Sequence, residues 1–149
     1  MNFKETVYLA FAQILKEKIS QLLVTLKELS QSAANETKST AGDKHETALA
    51  MLQIEQENKR KQLKEMQQQE LLLNKINPSN ISTAVLNGSL VQTDKGYFFI
   101  SVALGRISIE GKTIFALSPS SPLGKKLLNQ NIAGTVEMNG THYTILSVE

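Results

Sequence analysis

Apolar residues recur along the first half of the chain at alternating steps of four and three. Leu15, Ile19, Leu22, Leu26 and Leu29 lead on to Ala33, within a stretch from Phe3 to Ala33 that holds no Pro or Gly. That spacing is the seam of a coiled-coil helix. After a polar stretch, Asn35 to Gly42, a second breaker-free run extends to Asn77. In it His45, Leu49, Leu52, Gln56, Lys59, Leu63, Met66, Glu70 and Leu73 repeat the same steps, and Pro78 ends the run. Each seam position of the first arm has a partner in the second whose number adds with it to 78: Leu29 with Leu49, Leu26 with Leu52, Leu15 with Leu63. A constant sum predicts an antiparallel hairpin turning near Ser39, an intramolecular coiled coil rather than a parallel dimer. The middle of the seam is polar on one side, with Leu22 opposite Gln56 and Ile19 opposite Lys59. The stem of Lys59 can cover apolar surface while its ammonium reaches water.

Beyond Asn77-Pro78-Ser79-Asn80 the period changes to two. Ser89 to Thr93, Gly96 to Leu104, Arg106 to Glu110, Thr113 to Leu117, Thr135 to Met138 and Thr141 to Val148 are short, β-branched or aromatic, and bounded by turn residues. Asp94-Lys95-Gly96, Glu110-Gly111-Lys112 and Asn139-Gly140 read as hairpin turns. Ser121-Pro122 opens a short helix over Leu123 to Leu128, with Ser as N-cap and Pro at the first helical position. The predicted class is therefore α+β. An antiparallel helical hairpin occupies residues 1–76 with its tip at about 35–44, a linker follows over 77–84, and a small mixed β domain with one short helix fills 85–149.

Composition narrows the chemistry. The chain of 149 residues has no Cys and two His, which excludes a thiolate nucleophile, a thiolate zinc site and a three-His metal site within one chain. No apolar run approaches the ~18–20 residues needed to span a bilayer, and Met1 to Lys4 lacks the basic and apolar regions of a signal peptide. A cytoplasmic, membrane-free protein is expected. The net charge is +2, with 11 Lys+Arg against 10 Asp+Glu in residues 1–76 and 5 against 4 in residues 77–149. Neither half is the basic surface of an autonomous nucleic-acid binder, so any nucleic acid it works on is held by another protein. The Lys59-Arg60-Lys61 run reads either as a solvated helix face or as a contact with RNA phosphates.

Between the arms stands Ala41-Gly42-Asp43-Lys44-His45-Glu46. Two carboxylates three residues apart at the start of a helix lie on one face. Such a pair suits Mg²⁺, which typically takes one or two protein carboxylates and completes its shell with water and phosphate oxygens. Two carboxylates do not hold the ion alone, so they would complete a site in another macromolecule. The same spacing is that of a capping box, with Asp43 as N-cap and Glu46 at N3. His45, between them and opposite Ala33 on the seam, reads as a packed imidazole or as a ligand or proton donor.

Three segments together resemble the GreA/GreB family of bacterial transcription elongation factors, across both halves of the chain. Gly42-Asp43-Lys44-His45-Glu46 is similar to that family's G-D-x-x-E tip. Val85-x-x-Gly88-Ser89-x-Val91 is similar to its first C-terminal strand, and Ser121-Pro122-Leu123-Gly124-Lys125-Lys126-Leu127-Leu128 to its S-P-[IL]-[GA]-[RK]-x-[LI]-[LI] segment. The resemblance implies an FKBP-like C-terminal domain that docks on RNA polymerase beside the secondary channel, through a surface including Ser121, Pro122, Leu123 and Gly124. It also implies a monomer whose hairpin reaches the nascent RNA 3′ end only indirectly. Asp43 and Glu46 would steady Mg²⁺ and a water there, assisting the polymerase's own nuclease while the factor itself is no enzyme. One departure is marked: the family continues N-A-E-Y after the acidic pair, where this chain has Thr47-Ala48-Leu49-Ala50. The alternatives are a Gre-like factor that occupies the channel without stimulating cleavage, a coiled-coil interaction protein in which Asp43 and Glu46 only cap a helix, and a prolyl isomerase suggested by fold alone. The aromatics Tyr97, Phe98, Phe99, Phe115 and Tyr143 read as core residues or as pocket walls.

Overall fold

The computed structural model describes residues 2–37 and 43–149, with Thr37, Asp43, Lys44 and His45 described by backbone alone. Two long helices, α1 (Phe3–Thr37) and α2 (Asp43–Asn74), precede six strands and a short helix. The strands are β1 (Leu90–Thr93), β2 (Gly96–Ile100), β3 (Gly105–Ile109), β4 (Lys112–Leu117), β5 (Thr135–Met138) and β6 (Thr141–Val148), with α3 (Pro122–Leu127) between β4 and β5. The expected α+β class, a helical pair followed by a mixed sheet with one short helix, is what the chain adopts. The chain forms two compact units, Ile14–Glu70 and Met1–Gln13 with Leu71–Glu149. The expected turn at Ser39 lies outside the described residues.

In the unit Ile14–Glu70 burial follows the heptad. Leu15 and Leu22 of α1 and Gln56 of α2 are buried. Ile19, Leu26, Leu29 and Ala33, with Leu49, Leu52, Lys59, Leu63, Met66 and Glu70, are half-buried among mostly exposed neighbours. Most described seam positions inside this unit are thus less exposed than the residues beside them. Lys59 of the basic run pairs with Glu55 one turn back at 3.6 Å, while Arg60 and Lys61 are exposed.

The other unit carries the sheet, in the order β3-β4-β2-β1-β6-β5. Every pairing is antiparallel except β2 with β4. The hairpins close where turn chemistry predicts: Glu110 and Gly111, and Asn139 and Gly140, all have positive φ, the geometry of tight turns that match strand twist. One expected strand is shortened. Gly96 to Leu104 stays in the sheet only to Ile100, because β3 lies on the far side of β4 from β2. Residues 101–104 must therefore pass over the end of β4, where Ser101 N–H donates to the Leu117 carbonyl at 2.8 Å.

Strand alternation gives the sheet two apolar faces. On one, Val91, Phe98, Ile100, Val136 and Ile145 pack with Val85 and with Leu127 of α3. On the other lies the beginning of α1. Phe11 stacks on Phe99 at 6.0 Å between ring centroids, Tyr8 meets Phe99 edge-on at 6.4 Å, and Phe3 meets Tyr97 at 5.3 Å. Val7, Phe11 and Phe99 are fully buried there. Asn2 starts α1 by accepting the Glu5 N–H on its side-chain oxygen at 2.8 Å. The Tyr8 hydroxyl donates to the Leu73 carbonyl at 3.2 Å, so the start of α1 lies beside the end of α2 and the pair is antiparallel.

Candidate functional site

Two of the three motif segments can be followed at side-chain level, the third only in part. The acidic pair sits at the start of α2, whose first residue is Asp43. At 3.6 residues per turn, positions 43 and 46 share a helix face, and Glu46 is exposed. The side chains of Asp43 and His45 lie outside the described residues, so the capping and metal-binding readings of that carboxylate, and either reading of His45, stay as expectations. No group of three or more His, Cys, Asp or Glu able to hold a metal occurs among the described residues. The sequence places two carboxylates, Asp43 and Glu46, at this end of α2, a pair that fits a Mg²⁺ whose remaining ligands come from water and another macromolecule.

The Ser121–Gly124 segment is built tightly. Ser121 takes an extended conformation before α3 and accepts the Gly124 N–H on its hydroxyl oxygen at 3.1 Å. The same hydroxyl donates to the Ser118 carbonyl at 2.6 Å, which closes the turn that leads in from β4. Pro122 occupies the first turn, where its missing N–H costs nothing. Gly124 is required by close approach: a Cβ there would stand 2.1 Å from the Ser118 oxygen and 2.8 Å from Ser121 Oγ. The S-P-L-G sequence therefore encodes a compact helix start, and it leaves Pro122 exposed and Leu123 half-buried.

Leu123 opens onto an apolar cavity of about 380 Å³ whose walls include Phe98, Phe115, Leu117 and Tyr143, with Lys95 among the lining residues. Phe98 stacks on Phe115 at 5.5 Å and meets Tyr143 edge-on at 5.6 Å. The Lys95 ammonium stands 5.7 Å from the Tyr143 ring centre and donates to the His142 carbonyl. The five aromatics thus divide: Phe98, Phe115 and Tyr143 form the cavity wall, while Tyr97 and Phe99 lie under α1. Sequence periodicity assigned these rings to strands; their meeting with Leu123 depends on strand order, which periodicity does not carry.

The second motif segment, Val85 to Val91, leads into β1. Gly88 has φ +94°, a conformation that favours glycine, and a Cβ on it would press on Ile76 Cγ2 at 3.0 Å. Its N–H donates to the Ile100 carbonyl at 2.6 Å, and the Ser89 hydroxyl accepts the Leu86 N–H at 2.9 Å.

Sequence reasoning passed over Lys4. It is 4% exposed, and its ammonium donates to the Asn80 carbonyl at 2.6 Å. Burial holds its pKa below the ordinary lysine value, partly opposed by the charge of Glu149. The available signal was its position one helical turn before Val7 on the buried face of α1.

No helix among the described residues is long and apolar enough to cross a membrane. No family model matches the chain, and no curated protein matches it. Among solved structures, the chain is similar to the transcription factor Gfh1 at 14% sequence identity, over 92% of each chain, with a TM-score of 0.37.

Proposed function

We infer that the protein is a Gre-like transcription factor that binds bacterial RNA polymerase at its secondary channel and promotes cleavage of backtracked transcripts. The observation that carries this reading is the order and spacing of the three motif segments in the sequence. The fold supports it locally: Gly88 takes a positive φ and Gly124 stands where a Cβ would collide, Ser121 caps α3, and Asp43 begins α2. In this reading the polymerase docks at the exposed Pro122 and at Leu123 beside the aromatic cavity. The apolar wall of Phe98, Phe115 and Tyr143 supplies buried area there.

At the start of α2, Asp43 and Glu46 would hold Mg²⁺ jointly with the polymerase. Bound there, the ion would supply activation of a water for phosphodiester hydrolysis. The part of this chain is to present two carboxylates on one helix face and to orient that water through their oxygens. The polymerase does the remaining chemistry, which makes this chain a stimulating factor and not an enzyme in its own right. A second reading is favoured by one observation, the Thr47-Ala48-Leu49-Ala50 run in place of N-A-E-Y: the factor occupies the channel without promoting cleavage.

The test is 3′-end cleavage in purified backtracked elongation complexes, with the intact chain and with an Asp43→Ala, Glu46→Ala variant that retains helicity and polymerase binding. Cleavage above the polymerase's intrinsic rate with the intact chain, reduced at least about 100-fold in the variant, is the expected outcome. Binding by both without cleavage by either would select the channel-occupying reading. Absence of polymerase binding would sink both and leave a coiled-coil interaction protein.

A further inference from the structure

A second cavity, of about 410 Å³, differs in chemistry from the aromatic one. Its lining includes Lys4, Lys75, Asn77, Asn80, Ser82 and Ser89, and it contains no Asp or Glu. We propose that it binds a small phosphomonoester of nucleotide size, with the phosphate held by Lys4 and Lys75.

Lys4 is the centre of the case. An ammonium is costly to bury without compensation, and this one is 4% exposed at the cavity wall. It has three N–H donors, of which one is used on the Asn80 carbonyl. Glu149 is the carboxylate whose charge acts on Lys4, and it does not line the cavity. The lining is therefore cationic, and it holds more hydrogen-bond donors than neighbouring acceptors consume. The hydroxyl oxygens of Ser82 and Ser89 accept the N–H groups of Ala84 and Leu86, at 3.3 and 2.9 Å, which leaves each hydroxyl hydrogen to donate. A phosphate dianion, with three terminal oxygens, matches this excess of donors and positive charge.

Size and the remaining walls specify the rest of the ligand. A volume of about 410 Å³ is in the range of small-molecule sites and larger than inorganic phosphate requires. Ile76, Ile81 and Leu86 add apolar surface, and Ile81 is 82% exposed at this wall, a surface for the organic body of the ligand. Asn77 offers a side-chain amide that can read a polar edge, although its oxygen already accepts the Ser79 N–H at 2.9 Å. A purely structural Lys4, tying α1 to the segment after α2, would need neither Lys75 nor an anion.

The inference does not rest on polymerase binding and is tested with the isolated full-length chain. Backbone amide NMR shifts are followed on titration with inorganic phosphate, AMP and uncharged adenosine, for the natural chain and for Lys75→Ala and Lys4→Met. Lys75 is exposed, so its variant keeps the fold even if Lys4→Met does not. Saturable shifts at residues 75–89 with AMP, weaker ones with phosphate, none with adenosine, and a loss of about tenfold in affinity in Lys75→Ala are expected. No saturable shift with AMP at millimolar concentration, or equal affinity for AMP in Lys75→Ala, overturns the proposal.

Discussion

The helical unit, Ile14–Glu70, and the sheet unit hold their shapes by different means. In the first, burial is thin: Leu15, Leu22 and Gln56 are buried, and the rest of the described seam is half-exposed. In the second, the sheet is covered on both faces, by α3 on one and by the first turns of α1 on the other, with Phe11, Phe99, Val91 and Ile100 fully buried. A slender pair of helices draws its stability from many shallow contacts of one repeating kind, so no single residue dominates. A small sheet with two packed faces concentrates its stability in a few large side chains. The contrast separates a thinly buried helix pair from the part that lines both cavities.

The sharpest way to break that contrast is Phe99→Ala. Phe99 pairs with Leu90 and Ala116 across the sheet and touches the rings of Phe11 and Tyr8. Its removal is expected to cost about 3–5 kcal/mol, read by urea unfolding. Amide hydrogen exchange should then accelerate in the strands and in residues 3–13, with residues 14–70 affected less. Equal acceleration in residues 14–70 would show that the two regions unfold as one, and the comparison would fail.

A smaller effect, of opposite sign, is expected from Gln56→Leu. Gln56 is 9% exposed and shares a predicted layer with Leu22, 8% exposed. An apolar residue at this position should stabilise the helical unit by about 1 kcal/mol, measured as slower exchange in residues 14–70. Destabilisation would instead assign Gln56 a hydrogen bond that the helix pair depends on. Either result sharpens the contrast, because the same volume-conserving exchange has no polar position to act on in the apolar cluster beside α3.

How much of this could be read from the sequence follows from the range of the interactions. The seam was legible because a helix sets its own period: positions from Leu15 to Leu73 that step by four and three are the less exposed ones. The three hairpin turns were legible because Asp94-Lys95-Gly96, Glu110-Gly111 and Asn139-Gly140 carry local backbone requirements. So was the start of α3, since Ser121 and Pro122 act within one turn. The parallel pairing of β2 with β4 was not legible, since it depends on β3 lying outside β4. Nor was the cover of Phe3, Tyr8 and Phe11 over the sheet, which joins residues about ninety positions apart. Lys4 escaped for the same reason, as its burial is fixed by Asn80 and the segment around it. The acidic pair was visible as a motif, with Glu46 exposed at the start of α2.

The smallest expected effect lies in the sheet unit and is seen only in acid. Asp94, in the turn between β1 and β2, accepts the Thr144 N–H at 2.8 Å, and its own N–H donates to the Thr144 carbonyl at 3.1 Å. That bond first, and Lys95 second, hold the Asp94 carboxyl below the usual aspartate range. A carboxylate with a depressed folded pKa contributes stability that is fully present above its unfolded value of 3.8. The contribution is lost as pH falls through the folded value. Asp94→Asn keeps an oxygen to accept from Thr144 but removes the ionisation, so its stability should fall less than that of the natural chain between about pH 5 and pH 2. The helical unit has no such paired turn among its described residues, and exchange in residues 14–70 should differ little between the two chains over this range. Parallel pH profiles for the two chains in β1, β2 and β6 would remove the Asp94–Thr144 bond from the account of how the sheet is held.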